Sequence, residues 1–92
     1  MVFRGTVQFA NNPSDLRVTA AFDAGDMACG DLVMELRLRM RALEPGDILH
    51  VTALDPGAPS DIPAWCALTH HPLRAQHHPD YWIQRRPNGP NP

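Results

Sequence analysis

Apolar and polar residues alternate in two stretches near the start of the chain, a pattern typical of half-buried β-strands. The first stretch is VFRGTVQF at residues 2–9, and the second is LRVTAAFD at residues 16–23. In each stretch the apolar residues lie on one face. These residues are Phe3, Gly5, Val7 and Phe9 in the first stretch and Leu16, Val18, Ala20 and Phe22 in the second. The NNPSD segment between them contains residues that favour turns. The two stretches are therefore predicted to form a hairpin.

A helical period follows the second stretch. At the roughly 100° per residue of an α-helix, apolar residues lie along one stripe, which is the predicted core face of this helix. It contains Leu32, Val33, Leu36, Met40 and Leu43. Met34 and Leu38 lie off this stripe beside Arg37 and Arg41. Packing against the second helix and exposure in a small docking patch are both open for these two side chains, and we expect partial exposure. The EPGD segment at residues 44–47 ends the helix, because proline cannot continue it and glycine allows a tight turn.

The middle of the chain contains a second strand–helix pair. DILHVTAL at residues 47–54 is predicted to be a strand, and GAPSDIPAWCALTHH at residues 57–71 a helix. Ser60 or Asp61 is expected to cap this helix, with Pro63 in its first turn.

The last part of the chain contains two short predicted strands. Pro72 is expected to end the second helix, and the strands follow at about residues 73–77 and 80–86. PNGPNP at residues 87–92 has no apolar side chain to bury and is predicted to be a disordered tail. We therefore expect one domain over residues 1–86.

The predicted order after the first strand is β-α-β-α-β-β. Such alternation favours parallel pairing of the strands that flank the first helix, through a right-handed crossover. The predicted fold class is an α/β two-layer sandwich with two helices on one face of a mixed sheet. Residues 2–9 would add an extra N-terminal strand.

Composition and charge argue against several classes of protein function. The chain has 92 residues and a formal net charge of −2, whereas nucleic-acid-binding domains are usually basic. No apolar run approaches the roughly 20 residues that span a membrane, and the start lacks the apolar region of a signal peptide. Two cysteines are too few for a disulfide scaffold. We expect a cytoplasmic, monomeric protein with reduced thiols.

The segment LEPGDILHVTALDPGAPSDIPAWC at residues 43–66, together with Asp23 and with Cys29 at a helix start, resembles the TusA family of sulfur-carrier proteins. The similar features are PGD before a strand, DP after it and DIP three residues before a cysteine, and they lie within residues 16–86. The resemblance implies the β-α-β-α-β-β sandwich and a persulfide-carrying cysteine, whose position Cys29 occupies. It also implies that Asp61 lies near Cys29.

The family's usual Cys-Pro-x-Pro signature is altered. It is CGDL here, so Gly30 and Leu32 replace both prolines, and Asp26 replaces a glycine three residues before the cysteine. A helix N-terminus carries roughly half a positive charge and unpaired N–H groups, which lower the pKa of a cysteine. Asp26 and Asp31 oppose this effect, because carboxylates disfavour a thiolate. We therefore expect Cys29 to be a moderately activated thiol.

The predicted function is a sulfur carrier that accepts a sulfane sulfur as a persulfide on Cys29 and transfers it to a partner protein. The residues expected to support the thiol or to dock donor and acceptor proteins are Gly30, Asp31, Asp61, Met34, Arg37 and Leu38. No cofactor is required, because the sulfur is held on the side chain, and whether the carrier acts as a sulfurtransferase enzyme is left open. The alternative is a non-catalytic interaction or regulatory module that lost sulfur transfer with the two prolines.

The second cysteine and the histidines are interpreted as structural. Cys66 lies inside the second predicted helix beside Trp65 and is expected to be buried, since free cysteine often is. A disulfide with Cys29 is not expected. The histidine pairs at residues 70–71 and 77–78 fit no standard zinc template, so they are expected to face solvent and no metal site is predicted. A histidine-based metal site is the weakest of the hypotheses.

Overall fold

The structure, a computed structural model, describes residues 16–86. Its elements in chain order are β1 (Ala20–Gly25), α1 (Cys29–Arg41), β2 (Ile48–Ala53), α2 (Ala58–Thr69), β3 (Leu73–His77) and β4 (Asp80–Gln84). The order β-α-β-α-β-β is as predicted. The predicted hairpin strand at residues 2–9 and the predicted tail at residues 87–92 lie outside the described residues.

Four strands form one mixed sheet in the order β1-β2-β4-β3. β1 and β2 are parallel and are connected through α1, which confirms the predicted parallel pairing. β4 is antiparallel to both of its neighbours, β2 and β3. The two helices contribute to one core cluster, so the predicted two-layer α/β sandwich is confirmed.

The core lies between the helices and one face of the sheet. The strands supply alternate side chains, as the pleat requires, and these are Phe22, Ala24, Leu49, Val51, Ala53, Tyr81 and Ile83. The helices supply side chains spaced three or four residues apart, namely Leu32, Leu36, Met40, Ala58, Ile62 and Cys66. Within the predicted stripe of α1, Leu43 packs at the edge of the core and Val33 is only partly buried.

The opposite face of the sheet carries half-buried polar and aromatic pairs. His50 lies across from Trp82 in the β2–β4 register, and their rings stack with centroids 4.7 Å apart. Asp80 accepts a hydrogen bond from Thr52 Oγ1 at 3.1 Å, and its Oδ1 lies 2.9 Å from His50 Nε2. These cross-strand contacts hold β2 against β4.

The prediction for the start of α2 is wrong. The helix begins directly after its N-cap Gly57, so Ser60 and Asp61 lie in the first turn and do not cap it. Proline is preorganised for the first helical positions because its φ is fixed. Pro59 occupies such a position and favours the earlier start.

Pro63 lies inside α2 and not in its first turn. A proline has no N–H to donate to the carbonyl four residues earlier, which here belongs to Pro59. That carbonyl accepts a hydrogen bond from Gln76 Nε2 at 3.4 Å instead. The helix ends at His70, which has a left-handed φ of 66°, two residues before Pro72.

Two predictions about single side chains are also wrong. Val18, assigned to the core face, is 41% exposed because β1 begins only at residue 20. His71, assigned to solvent, is buried, and its Nδ1 accepts the backbone N–H of Arg86 at 3.0 Å. Burial lowers the pKa of His71, and the positive charges of Arg85 and Arg86 act in the same direction.

A buried arginine joins the end of β4 to the end of α1. Arg85 Nη1 donates to the carbonyl of Met40 at 2.9 Å and to that of Leu43 at 2.6 Å. A guanidinium suits this position, because the last carbonyls of a helix lack intrahelical partners and carry partial negative charge. Neither helix within residues 16–86 is long and apolar enough to cross a bilayer.

We expect Arg85→Met to lower the free energy of unfolding by about 2–4 kcal/mol, because hydrogen bonds from a charged donor contribute about 1.5–3 kcal/mol each. Urea unfolding measures the change. Arg17→Met, at an exposed position, should change the same free energy by less than about 0.5 kcal/mol. Equal effects of the two substitutions would show that Arg85 does not stabilise the end of α1.

Candidate functional site

The site lies where β1 and β2 end. Because the two strands are parallel and adjacent, the loops that follow them leave the sheet at the same edge. The first loop turns at Gly25, whose φ of 57° is left-handed, and leads to Cys29 at the start of α1. The second loop carries Asp55 and Gly57 and leads into α2. Both helices therefore begin at one edge of the sheet, with Cys29 between the two loops.

Cys29 is partly exposed at a helix start that no side chain caps. The N-cap residue is Ala28, which has no side-chain acceptor, and its carbonyl accepts the Leu32 N–H at 2.8 Å. The N–H groups of the first turn lack intrahelical partners and form the positive end of the helix. Such groups stabilise a negative charge on a sulfur atom at this position.

Two carboxylates oppose that effect, Asp55 from the second loop and Asp61 from the first turn of α2. A hydrogen bond to Asp61 is the main factor that raises the pKa of Cys29 above its ordinary value. Partial desolvation and the negative charges of Asp61 and Asp55 raise it further. The expectation of a moderately activated thiol is therefore wrong in direction. Asp26 and Asp31, which the sequence pointed to, are not the residues responsible.

Gly57 provides the space in which the two carboxylates converge. Its N–H donates to Asp55 Oδ2 at 2.9 Å, and its carbonyl accepts the Asp61 N–H at 2.9 Å. A Cβ at this position would lie 2.9 Å from Asp55 Oδ2 and 3.0 Å from Asp61 Oδ2. Since real Cβ contacts are longer, any larger residue would displace the carboxylates that act on Cys29.

Sequence reasoning missed Asp55 and Gly57 as parts of the site. Both lie in the DPGAPSD segment, whose composition is typical of a turn that leads into a helix. Asp61 does lie beside Cys29, as the resemblance implied. The signal that the sequence offered was the parallel pairing of the flanking strands, which brings both loops to one edge.

The other predicted site residues lie on the exposed side of α1. Gly30 is helical, its φ is not positive, and a Cβ there would meet nothing within 4 Å. No steric reason therefore requires glycine at this position. Asp31 and Arg37 are exposed. The side chains of Met34 and Leu38 are 65% and 55% exposed, which confirms their predicted exposure.

Cys66 is buried in α2 and belongs to the core cluster, as predicted. Burial raises the pKa of its thiol to about 12, so it is an unreactive sulfur at neutral pH. Both cysteines are free thiols. Within residues 16–86, no three side chains of the histidine, cysteine, aspartate or glutamate type are grouped as metal ligands.

Comparison with known proteins agrees with this geometry. Residues 20–85 match the family described as Sulfurtransferase TusA. The protein named Sulfur carrier protein TusA from Pseudomonas fluorescens (strain SBW25) is 34% identical over 79 residues, which cover 82% of this chain and 95% of that protein.

Two further relatives carry the same name. That of Pseudomonas savastanoi pv. phaseolicola (strain 1448A / Race 6) is 35% identical over 78 residues, or 80% of this chain and 93% of the relative. That of Pseudomonas aeruginosa (strain LESB58) is 37% identical over 73 residues, which cover 75% of this chain and 92% of the relative. With this coverage and the matching fold, the chain belongs to the TusA family.

Proposed function

We propose that this protein is a sulfur carrier that holds a sulfane sulfur as a persulfide on Cys29 and transfers it to a partner protein. The observation that carries the proposal is a partly exposed thiol at an uncapped helix N-terminus. The relatives named as sulfur carriers support the same role. The exchange needs no cofactor, because the transferred atom is bound covalently to the side chain. We place it in a reducing cytoplasm, where thiols stay reduced.

Loading begins with the Cys29 thiolate. It attacks the outer sulfur of a donor persulfide, R–S–SH, so that a new S–S bond forms on Cys29 and the donor's S–S bond breaks. The donor leaves as the thiolate R–S⁻, and Cys29 now carries –S–SH. No net oxidation occurs, because one sulfane sulfur moves from one thiol to another.

Transfer to the acceptor reverses these roles. An acceptor thiolate attacks the outer sulfur on Cys29, and the Cys29 thiolate is the leaving group. The N–H groups of the first turn of α1 stabilise its developing charge. The acceptor then carries the persulfide, and Cys29 regains a proton.

Asp61 sets how readily these steps proceed. Its hydrogen bond and charge raise the pKa of Cys29. A thiol of higher pKa has a smaller thiolate fraction at neutral pH and is a poorer leaving group. Asp61 therefore slows the loss of the carried sulfur to passing thiols. Asp61 acts on the reacting thiol directly, and its backbone N–H donates to the carbonyl of Gly57.

The proposed carrier is a single-domain monomer that meets sulfur-donor and sulfur-acceptor proteins in turn. Such meetings are transient, because each partner must leave before the next arrives. A small contact surface around Cys29 is sufficient for this purpose.

Incubation with a persulfide donor should add about 32 Da, the mass of one sulfur atom, to the wild-type protein. Intact mass spectrometry measures the addition, and dithiothreitol should remove it. Cys29→Ser should abolish the addition, whereas Cys66→Ala should retain it because Cys66 is buried. Loading that survives Cys29→Ser would remove Cys29 from the mechanism. A folded wild-type protein that never loads would favour an interaction module without sulfur transfer.

Asp61→Asn should lower the pKa of Cys29, because it removes the carboxylate that stabilises the protonated thiol. The rate of iodoacetamide alkylation at Cys29, followed against pH, should therefore rise at lower pH than in wild type. At pH 7 the rate should increase several-fold.

Asp31→Asn is the matched control, since Asp31 is exposed in the first turn of α1 and is not a source of the raised pKa. Its alkylation profile should coincide with that of wild type. If Asp61→Asn leaves the profile unchanged, or moves it to higher pH, Asp61 does not control the thiol.

A further inference from the structure

A groove runs between α1 and α2 and begins beside Cys29. The part of the groove nearest Cys29 includes Gly30, and the other part reaches His71. The two parts share Arg37, Arg41 and Trp65, so they form a continuous surface. We call this surface the interhelix groove and define it by Met34, Arg37, Leu38, Arg41, Trp65 and Leu68.

The interhelix groove concentrates the exposed apolar side chains of residues 16–86. Met34, Leu38 and Leu68 are 65%, 55% and 78% exposed. They are three of the five large apolar side chains that are exposed within residues 16–86. Trp65 lies between them and is only partly buried. A cluster of exposed apolar side chains marks an interaction site more often than scattered ones do.

The charge of the groove is of one sign. Among residues 16–86, arginines line it and no aspartate or glutamate does, although the whole chain carries a net charge of −2. Neither Arg37 nor Arg41 forms an ion pair with another described residue. Arg39, elsewhere on α1, differs from them: its Nε lies 3.4 Å from Glu35 Oε1, and its guanidinium lies 3.9 Å from the centre of the Phe22 ring.

We propose that the interhelix groove docks sulfur-transfer partner proteins that present an apolar stripe flanked by carboxylates. This inference rests on the proposed function, since a partner must bring its own cysteine to Cys29. The apolar stripe would cover Met34, Leu38 and Trp65. The carboxylates would bind Arg37 and Arg41, because guanidinium groups pair with carboxylates through two parallel hydrogen bonds.

The charge pattern also determines on which side of Cys29 the partner binds. Asp55 and Asp61 repel carboxylates from one side of Cys29, while Arg37 and Arg41 attract them to the groove. Complementary charges of this kind fix register and speed association more than they strengthen binding. An acidic partner is thus guided onto the helices, away from the carboxylates that act on the thiol.

Three synthetic helical peptides test the proposal by binding alone. Each carries the same leucine stripe, flanked by glutamates, by glutamines or by lysines, and none contains cysteine. Titrated into the reduced, ¹⁵N-labelled full chain, the glutamate peptide should shift the Trp65 indole and the Met34 and Leu38 amide signals. Its dissociation constant should be at least about tenfold lower than that of the lysine peptide at low salt, and the difference should shrink as salt screens the charges.

Charge reversal supplies the decisive comparison. Arg37→Glu with Arg41→Glu should invert the preference, so that the lysine peptide binds more tightly than the glutamate peptide. Arg17→Glu, an exposed reversal outside the groove, should leave the preference unchanged. Equal binding of all three peptides, or an unchanged preference in the double variant, would overturn the proposal.

Other occupants of the groove have distinct signatures. A concentration-dependent dimer in sedimentation equilibrium that Arg37→Glu abolishes would assign the groove to a second copy of the chain. Nuclear Overhauser effects from residues 1–15 to Trp65 would assign it to the chain's own N-terminal segment. Either result would overturn the proposal for a partner protein.

A second readout separates failure of docking from failure of sulfur transfer. Persulfide-loaded protein is mixed with cysteine-containing versions of the peptides, or with free cysteine as a small acceptor. Transfer from the wild-type protein to free cysteine shows that the sulfur-transfer step works. In the double variant, the ratio of the transfer rate to the glutamate peptide over that to the lysine peptide should fall at least about tenfold. If no acceptor receives sulfur, the proposed function fails, and the binding titration still decides the docking proposal.

Discussion

The parallel pairing of β1 and β2 is the constraint on which the rest of the site depends. Parallel neighbours end at the same edge of a sheet, so the loops after them, and the helices those loops begin, lie side by side. This places Cys29 of one loop–helix junction against Asp61 of the other. An antiparallel pair would send the two loops to opposite edges of the sheet. The Cys29 thiol would then lie beside the N-terminus of α1, without the Asp61 carboxylate.

The chemistry of Cys29 follows from two opposing electrostatic effects at that edge. The N–H groups of α1 favour a negative sulfur, and the carboxylates of Asp61 and Asp55 favour a protonated one. The pKa of the thiol is raised, and the hydrogen bond to Asp61 is the largest cause. In the proposed mechanism, the same carboxylate restrains attack by Cys29 and makes Cys29 a poorer leaving group.

The fold was predictable because its signals are periodic and local. Alternation in LRVTAAFD and DILHVTAL, and the stripe of Leu32, Leu36 and Met40, each specify an element without knowledge of the others. Boundaries were harder to predict. Pro59 and Pro63 both suit a helix start, and only the packed structure shows that Gln76 satisfies the carbonyl that Pro63 leaves without a donor.

The site was only partly predictable, because its key contacts join residues far apart in sequence. Cys29 could be identified from its place at a helix start. The direction of the pKa shift of Cys29 could not be predicted. It depends on the distance between two loops, which the periodicity of the sequence does not determine. Gly57 illustrates the same limit: its φ of −82° suits any residue, and the need for glycine arises only from the two carboxylates that converge on it.

In the proposed mechanism, Asp61 governs the release of sulfur from Cys29. The most direct test is the rate at which free cysteine removes the outer sulfur from persulfide-loaded protein, followed by intact mass for wild type and Asp61→Asn. Because a thiol of lower pKa leaves faster, Asp61→Asn should lose its sulfur faster than wild type. Equal or slower loss from Asp61→Asn would show that Asp61 does not govern the release.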